Sequence, residues 1–142
     1  MPYDAKRESI KTPDYITTFV TKQFGEFYDP VPYNTTFDPK KDKDGLTTEW
    51  GNVSFVNPPY SRALKFVKKG VEQWKQNKTV ILLVKLSVLG RKGFRNCEGC
   101  EIVLFSNRVK FVGHGTAPEF SVCLLIYRAG KRSSTYSFFE SV

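Results

Sequence analysis

At 142 residues, with 40% apolar and 15% aromatic content, the chain is long enough for one packed core and too apolar to be disordered. Twenty-two lysines and arginines against 14 acids leave a net charge of +8, which favours a polyanionic partner. The longest apolar runs, VILLV (80–84) and CLLIY (123–127), fall well short of a membrane span, and the polar start MPYDAKRESIK has no apolar signal core.

Three cysteines, an odd number, fit a reducing compartment better than a disulfide framework. The expectation is an intracellular protein with no membrane association and a single domain over residues 1–142.

Thr12-Pro13 reads as a helix start, a capping residue followed by proline at the first helical position. Ile16, Phe19, Val20 and Phe24 then supply an apolar face through about residue 23, and Gly25 ends the helix. EFYD (26–29) is a short strand stopped by Asp29-Pro30. The polar stretch 30–49, with Asp44-Gly45, is loop.

NVSFV (52–56) is a strand. Ser61 is placed to cap a helix whose inner face is Ala63, Phe66, Val67, Gly70, Val71 and Trp74, with Arg62, Lys65, Lys68, Lys69 and Glu72 outward. TVILLV (79–84) is an unbroken apolar strand, the pattern of a strand covered on both faces. Strand, helix and strand over 52–84 make a βαβ crossover with parallel strands. EIVLF (101–105) and RVKFV (108–112), joined by Ser106-Asn107, read as a hairpin, and FSVCLLIYR (120–128) as a last long strand. The fold class is α/β, with a mainly parallel central sheet and an antiparallel hairpin end.

Between the first βαβ strand and its helix stands Asn57-Pro58-Pro59-Tyr60. Two prolines stop the strand and stiffen the residues after it, which suits a plain turn or a rigid mount for an amide and a ring. The carboxyl ends of strands in open α/β sheets are where ligands bind, and a connecting turn needs neither group. An exocyclic amine on a nucleobase is a poor nucleophile because its lone pair is delocalised into the ring. An asparagine carbonyl and a proline-fixed backbone carbonyl would orient that amine without titrating, while a tyrosine ring offers a stacking face. The base must leave its duplex to reach such a pocket, and positioning carries most of the work.

NPPY resembles the motif of amino-group methyltransferases that use S-adenosylmethionine. The wider pattern is similar to the compact phage- and virus-type DNA adenine-N6 methyltransferases, through TPDYITTF (12–19), FGEFYDPVPYN (24–34), DGLTTEW (44–50), VSFVNPPYS (53–61) and NRVKFVG (107–113). That resemblance implies a reduced Rossmann-like methyltransferase fold and methyl transfer to adenine N6 in DNA. Asn57, Pro58, Pro59 and Tyr60 would then be catalytic, and Thr12, Pro13, Asp29 and Asp44 would contact the cofactor. DPVPYN lacks the glycines that larger relatives carry after the first strand.

The basic segment KLSVLGRKGFRN (85–96) is the candidate for gripping phosphates, through Lys85, Arg91, Lys92 and Arg95, with Arg62 and Arg108 as further contacts. Cys97-x-x-Cys100 with His114 and Cys123 lacks metal-site spacing, so no metal is expected. Trp50 and Trp74 read as core. The alternatives are an RNA base amino-methyltransferase and a catalytically reduced module that only binds nucleic acid.

Overall fold

The computed structural model describes residues 11–32, 38, 40, 44–111 and 119–139. The first helix, α1 (Asp14–Phe24), begins one residue later than the sequence implies: Pro13, at φ −60°, is its N-cap, and no side chain caps it. Ile16 and Val20, four apart, form its buried stripe, and Gly25 at φ 83° closes it by donating to Thr21 O at 2.8 Å. EFYD reduces to one parallel bridge, in which Tyr28 N donates to Val53 O at 2.8 Å and Phe55 N to Tyr28 O at 3.0 Å.

The βαβ crossover is present as β1 (Val53–Val56), a 3₁₀ turn (Tyr60–Arg62), α2 (Ala63–Trp74) and β2 (Thr79–Lys85), with β1 and β2 parallel. Ser61 falls inside the 3₁₀ turn and does not cap α2, whose N-cap is Arg62. The inner face of α2 is as expected except at its end, where Trp74 is only partly buried and Gln73 is buried, its Oε1 accepting from Trp50 N at 3.1 Å and from Lys78 Nζ at 2.7 Å. Gly70 brings α2 down onto the sheet, since a Cβ there would stand 3.0 Å from Val80 Cγ1.

Two 3₁₀ turns (Leu86–Gly90 and Lys92–Cys97) lead from β2 to β3 (Glu101–Leu104), followed by β4 (Val109–Lys110), β5 (Glu119–Phe120), β6 (Val122–Tyr127) and β7 (Tyr136–Phe138). The main sheet has the order β1-β2-β6-β3-β7. β6 runs against both β2 and β3, and β7 runs with β3, so four of the five strands point the same way and β6 alone is reversed. Val80, Leu82 and Val84 of β2 pack under α2, whereas Ile81 and Leu83 join Ile16 and Val20 on the α1 side. The unbroken apolar run is therefore covered on both faces.

The hairpin expected over 101–112 does not form. β3 enters the main sheet between β6 and β7, and β4 pairs with β5 in a separate two-stranded ladder. A two-residue hairpin needs positive φ in its turn. Asn77 is the one non-glycine with positive φ among the described residues, so Ser106 and Asn107 do not make that turn. The expected last strand is likewise divided: Ser121 separates β5 from β6 and accepts a hydrogen bond from Leu86 N at 3.0 Å.

Candidate active site

β1 ends at Val56 and delivers Asn57-Pro58-Pro59-Tyr60 to the carboxyl rim of the sheet. Pro58 and Pro59 are buried, whereas Asn57 and Tyr60 are half-buried. Each proline fixes its own φ and pushes the preceding residue toward extended backbone, so the Pro58 carbonyl is held from both sides. The Asn57 side chain is held too: its Nδ2 donates to Thr12 Oγ1 at 3.0 Å across 45 residues of sequence.

A cavity of about 190 Å³ opens beside the tetrapeptide, lined among others by Asn57, Pro58, Tyr60, Lys85, Arg91 and Phe111. That is below the roughly 300–1,000 Å³ that encloses a drug-sized ligand, so it admits a group the size of one ring system. Tyr60 meets Phe120 edge to face at 4.9 Å between centroids, and Phe111 lies 5.9 Å from Phe120, making an aromatic wall. Sequence reasoning does not single out Phe111 and Phe120. They flank the GHGTAP segment and reach the site through the small β4–β5 ladder, which no local pattern announces.

Two basic residues are engaged within the fold. Lys85 is partly buried; its backbone closes the β2–β6 ladder opposite Val122, and its Nζ lies 4.1 Å from the Tyr60 ring centre and 4.2 Å from that of Phe120. Arg62 also turns inward. Its Nη2 is 2.5 Å from Asp44 Oδ2, and its guanidinium lies 5.7 Å from the Phe66 ring centre. Arg91, between the two 3₁₀ turns after β2, and Lys92 and Arg95, on the second, are by contrast exposed, and Arg108 is exposed between β3 and β4. The Lys68 ammonium on α2 borders the same turns, 3.4 Å from where a Gly93 Cβ would stand.

The four residues expected to contact a cofactor fall into two pairs. Thr12 is bonded to Asn57 and Pro13 is buried next to it. Asp29 follows the Tyr28 bridge, and Gly45 lies so close that an added Cβ would meet Pro30 O at 2.5 Å, which brings Asp44 alongside the Asp29–Pro30 turn. Asp29 Oδ1 accepts from Val31 N at 2.9 Å. Burial pushes the Asp29 carboxyl up to about 6, against the lowering effect of that one hydrogen bond. For Asp44, burial again opposes the charge, but the Arg62 hydrogen bond, the Leu46 N–H and the Arg62 charge outweigh it and hold the carboxyl below its usual range.

Cys97, Cys100 and Cys123 are buried free thiols on the α2 side, and burial raises each, Cys123 to about 12. They pack around Tyr127, whose hydroxyl donates to Cys97 O at 2.6 Å. His114 lies outside the described residues.

A mainly parallel α/β sheet with a rigid asparagine-proline-proline-tyrosine turn at its carboxyl rim defines a reduced Rossmann-like methyltransferase domain. The chain belongs to the DNA N-6-adenine-methyltransferase (Dam) family, whose family model matches residues 2–122. It is 35% identical over 83 residues to the DNA N-6-adenine-methyltransferase of Haemophilus phage HP1 (strain HP1c1), a match over 55% of this chain and 47% of the relative. The match thus spans about half the length of that relative. A crystal structure of a predicted O-methyltransferase from Agrobacterium tumefaciens aligns with a TM-score of 0.34 at 18% identity, over 66% of this chain and 43% of that one.

Proposed function

We propose that this chain transfers a methyl group from S-adenosylmethionine to the exocyclic N6 amine of adenine in DNA. The observation that carries the reading is the stiff Asn57–Tyr60 turn lining a ring-sized cavity at the sheet's carboxyl rim. In this reading the Asn57 amide oxygen and the Pro58 carbonyl accept from the two N6 protons and turn the nitrogen lone pair outward. Tyr60, backed by Phe120, gives the base an apolar face. Neither acceptor titrates near neutral pH, and the residues work by orientation.

S-adenosylmethionine carries an ammonium group, and the raised Asp29 carboxyl fits it: a half-buried acid with, among the described residues, only Val31 N opposing its desolvation gains from a cation. Pro13, Asp29 and Asp44 are the residues of this chain that would hold the cofactor, which when bound supplies the methyl on a sulfonium sulfur, whereas the Thr12 side chain is engaged by Asn57. Arg91, Lys92 and Arg95 would meet the phosphates next to the flipped nucleotide, with Arg108 farther along. Three buried free thiols favour a reducing, cytoplasmic setting.

Incubation with methyl-labelled S-adenosylmethionine and DNA of mixed sequence, then digestion to nucleosides, tests the proposal. Label in N6-methyl-2′-deoxyadenosine is the expected result. Label only when RNA is supplied would transfer the activity to RNA. DNA binding without transfer, and no calorimetric signal with cofactor, would leave a binding module.

A further inference from the structure

We propose that Thr12 is a positioning residue for the transfer, holding the Asn57 amide with its oxygen toward the target amine. This rests on the reading above, in which Asn57 receives that amine. A side-chain amide has two ends of nearly equal shape and opposite polarity, one accepting and one donating. Only the oxygen end attracts an incoming NH₂ group; the reversed amide would set donors against donors. The last torsion of asparagine is soft and roughly two-fold, so the rigidity that Pro58 and Pro59 give the backbone does not extend to the amide. A contact from outside the tetrapeptide has to supply the choice.

Thr12 Oγ1 takes the nitrogen end in this structure, 3.0 Å from Asn57 Nδ2 and accepting from it. With the nitrogen turned toward Thr12, the amide oxygen faces the other way. Thr12 is itself well anchored. It immediately precedes Pro13, which is buried and whose carbonyl accepts from Ile16 N at 3.1 Å, so the residue is fixed to the start of α1. The segment to which the family resemblance gives cofactor contact thereby holds the group that addresses the base.

The test compares Thr12→Val, which keeps the shape and loses the hydroxyl, with Thr12→Ser, which keeps the hydroxyl. Thr12→Val should lower kcat roughly 10- to 100-fold, with cofactor affinity by calorimetry unchanged, and Thr12→Ser should restore kcat to near the original value. Weakened cofactor affinity in Thr12→Val with kcat intact at saturation would make Thr12 a cofactor contact instead and overturn the proposal. So would wild-type behaviour on both counts. A second readout is independent of turnover: the Asn57 side-chain NH₂ pair in NMR spectra. It should show slowed exchange in the original chain and in Thr12→Ser, and fast exchange in Thr12→Val. Unchanged exchange in Thr12→Val would overturn the proposal even if no methyl transfer were found, whereas absent transfer with the expected exchange pattern would count against the functional reading alone.

Discussion

Arg62 reaches back from the start of α2 to Asp44, Nη2 to Oδ2 at 2.5 Å, and ties the 44–46 turn to the 3₁₀ turn that follows Asn57-Pro58-Pro59. Both side chains are partly shielded, at 20% and 27% exposure, so the pair lies between a surface bridge and a buried one. Replacing either partner with alanine should destabilise the fold by about 1–2 kcal/mol, less than a fully buried pair would lose. The double alanine variant should show a coupling of about 1 kcal/mol in urea unfolding. The folded Asp44 carboxyl lies below its unfolded value, so this stability is present above the unfolded pKa and is lost as pH falls through the folded one. Zero coupling at pH 7 would make Arg62 available to a phosphate after all.

Asp29 has the opposite sign. Its folded carboxyl, at about 6, stands above the unfolded value, so the folded protein binds the proton more tightly and stability declines as pH rises from about 4 to 6. Asp29→Asn should flatten that decline and make the cofactor-free protein more stable at pH 7, by at most about 3 kcal/mol. If Asp29 holds the cofactor ammonium, affinity should fall as pH drops below about 6, and Asp29→Asn should bind weakly at every pH. Calorimetric titrations at pH 5 and 8 decide it; equal affinities for the original chain would remove Asp29 from the site.

These two acids illustrate what the sequence makes legible. The βαβ unit is readable because its signals are local: an apolar face on α2, a continuous apolar β2, and prolines that stop β1. The tetrapeptide at the rim follows from that placement. What escapes is decided across long separations. Nothing in DGL tells that Asp44 is matched by Arg62, nothing in VKLS tells that Lys85 ends between two rings, and Phe120 lies 60 residues from Tyr60. The hairpin reading of 101–112 fails for a related reason: local alternation identifies strands but not their partners. β7 has such alternation in Tyr136-Ser137-Phe138, yet with all three exposed it lacks the apolar excess that marks β2.

Asn57→Ala removes one of the two acceptors assigned to the target amine and leaves the backbone turn in place. Transfer should fall by at least about 100-fold while cofactor affinity stays close to the original. Single-turnover methylation with saturating cofactor measures the first and calorimetry the second. Full turnover in Asn57→Ala would show that the amide plays no part in orienting the amine.

Lys85 and the exposed cluster at Arg91, Lys92 and Arg95 should separate cleanly in salt titrations of DNA binding. Removing one phosphate contact reduces the slope of log K against log salt by about 0.9. Replacing Arg91, Lys92 and Arg95 together with alanine should therefore flatten the slope by about 2–3 if all three meet phosphates. Lys85→Met keeps most of the hydrocarbon stem but removes the ammonium that lies 4.1 Å and 4.2 Å from the Tyr60 and Phe120 ring centres. Its slope should match the original, and its cost should show instead as about 1 kcal/mol of stability, the worth of the cation–π pairs. A flattened slope in Lys85→Met would mean that the ammonium leaves the rings for a phosphate when DNA binds, since in the free protein it is already engaged by the aromatic wall.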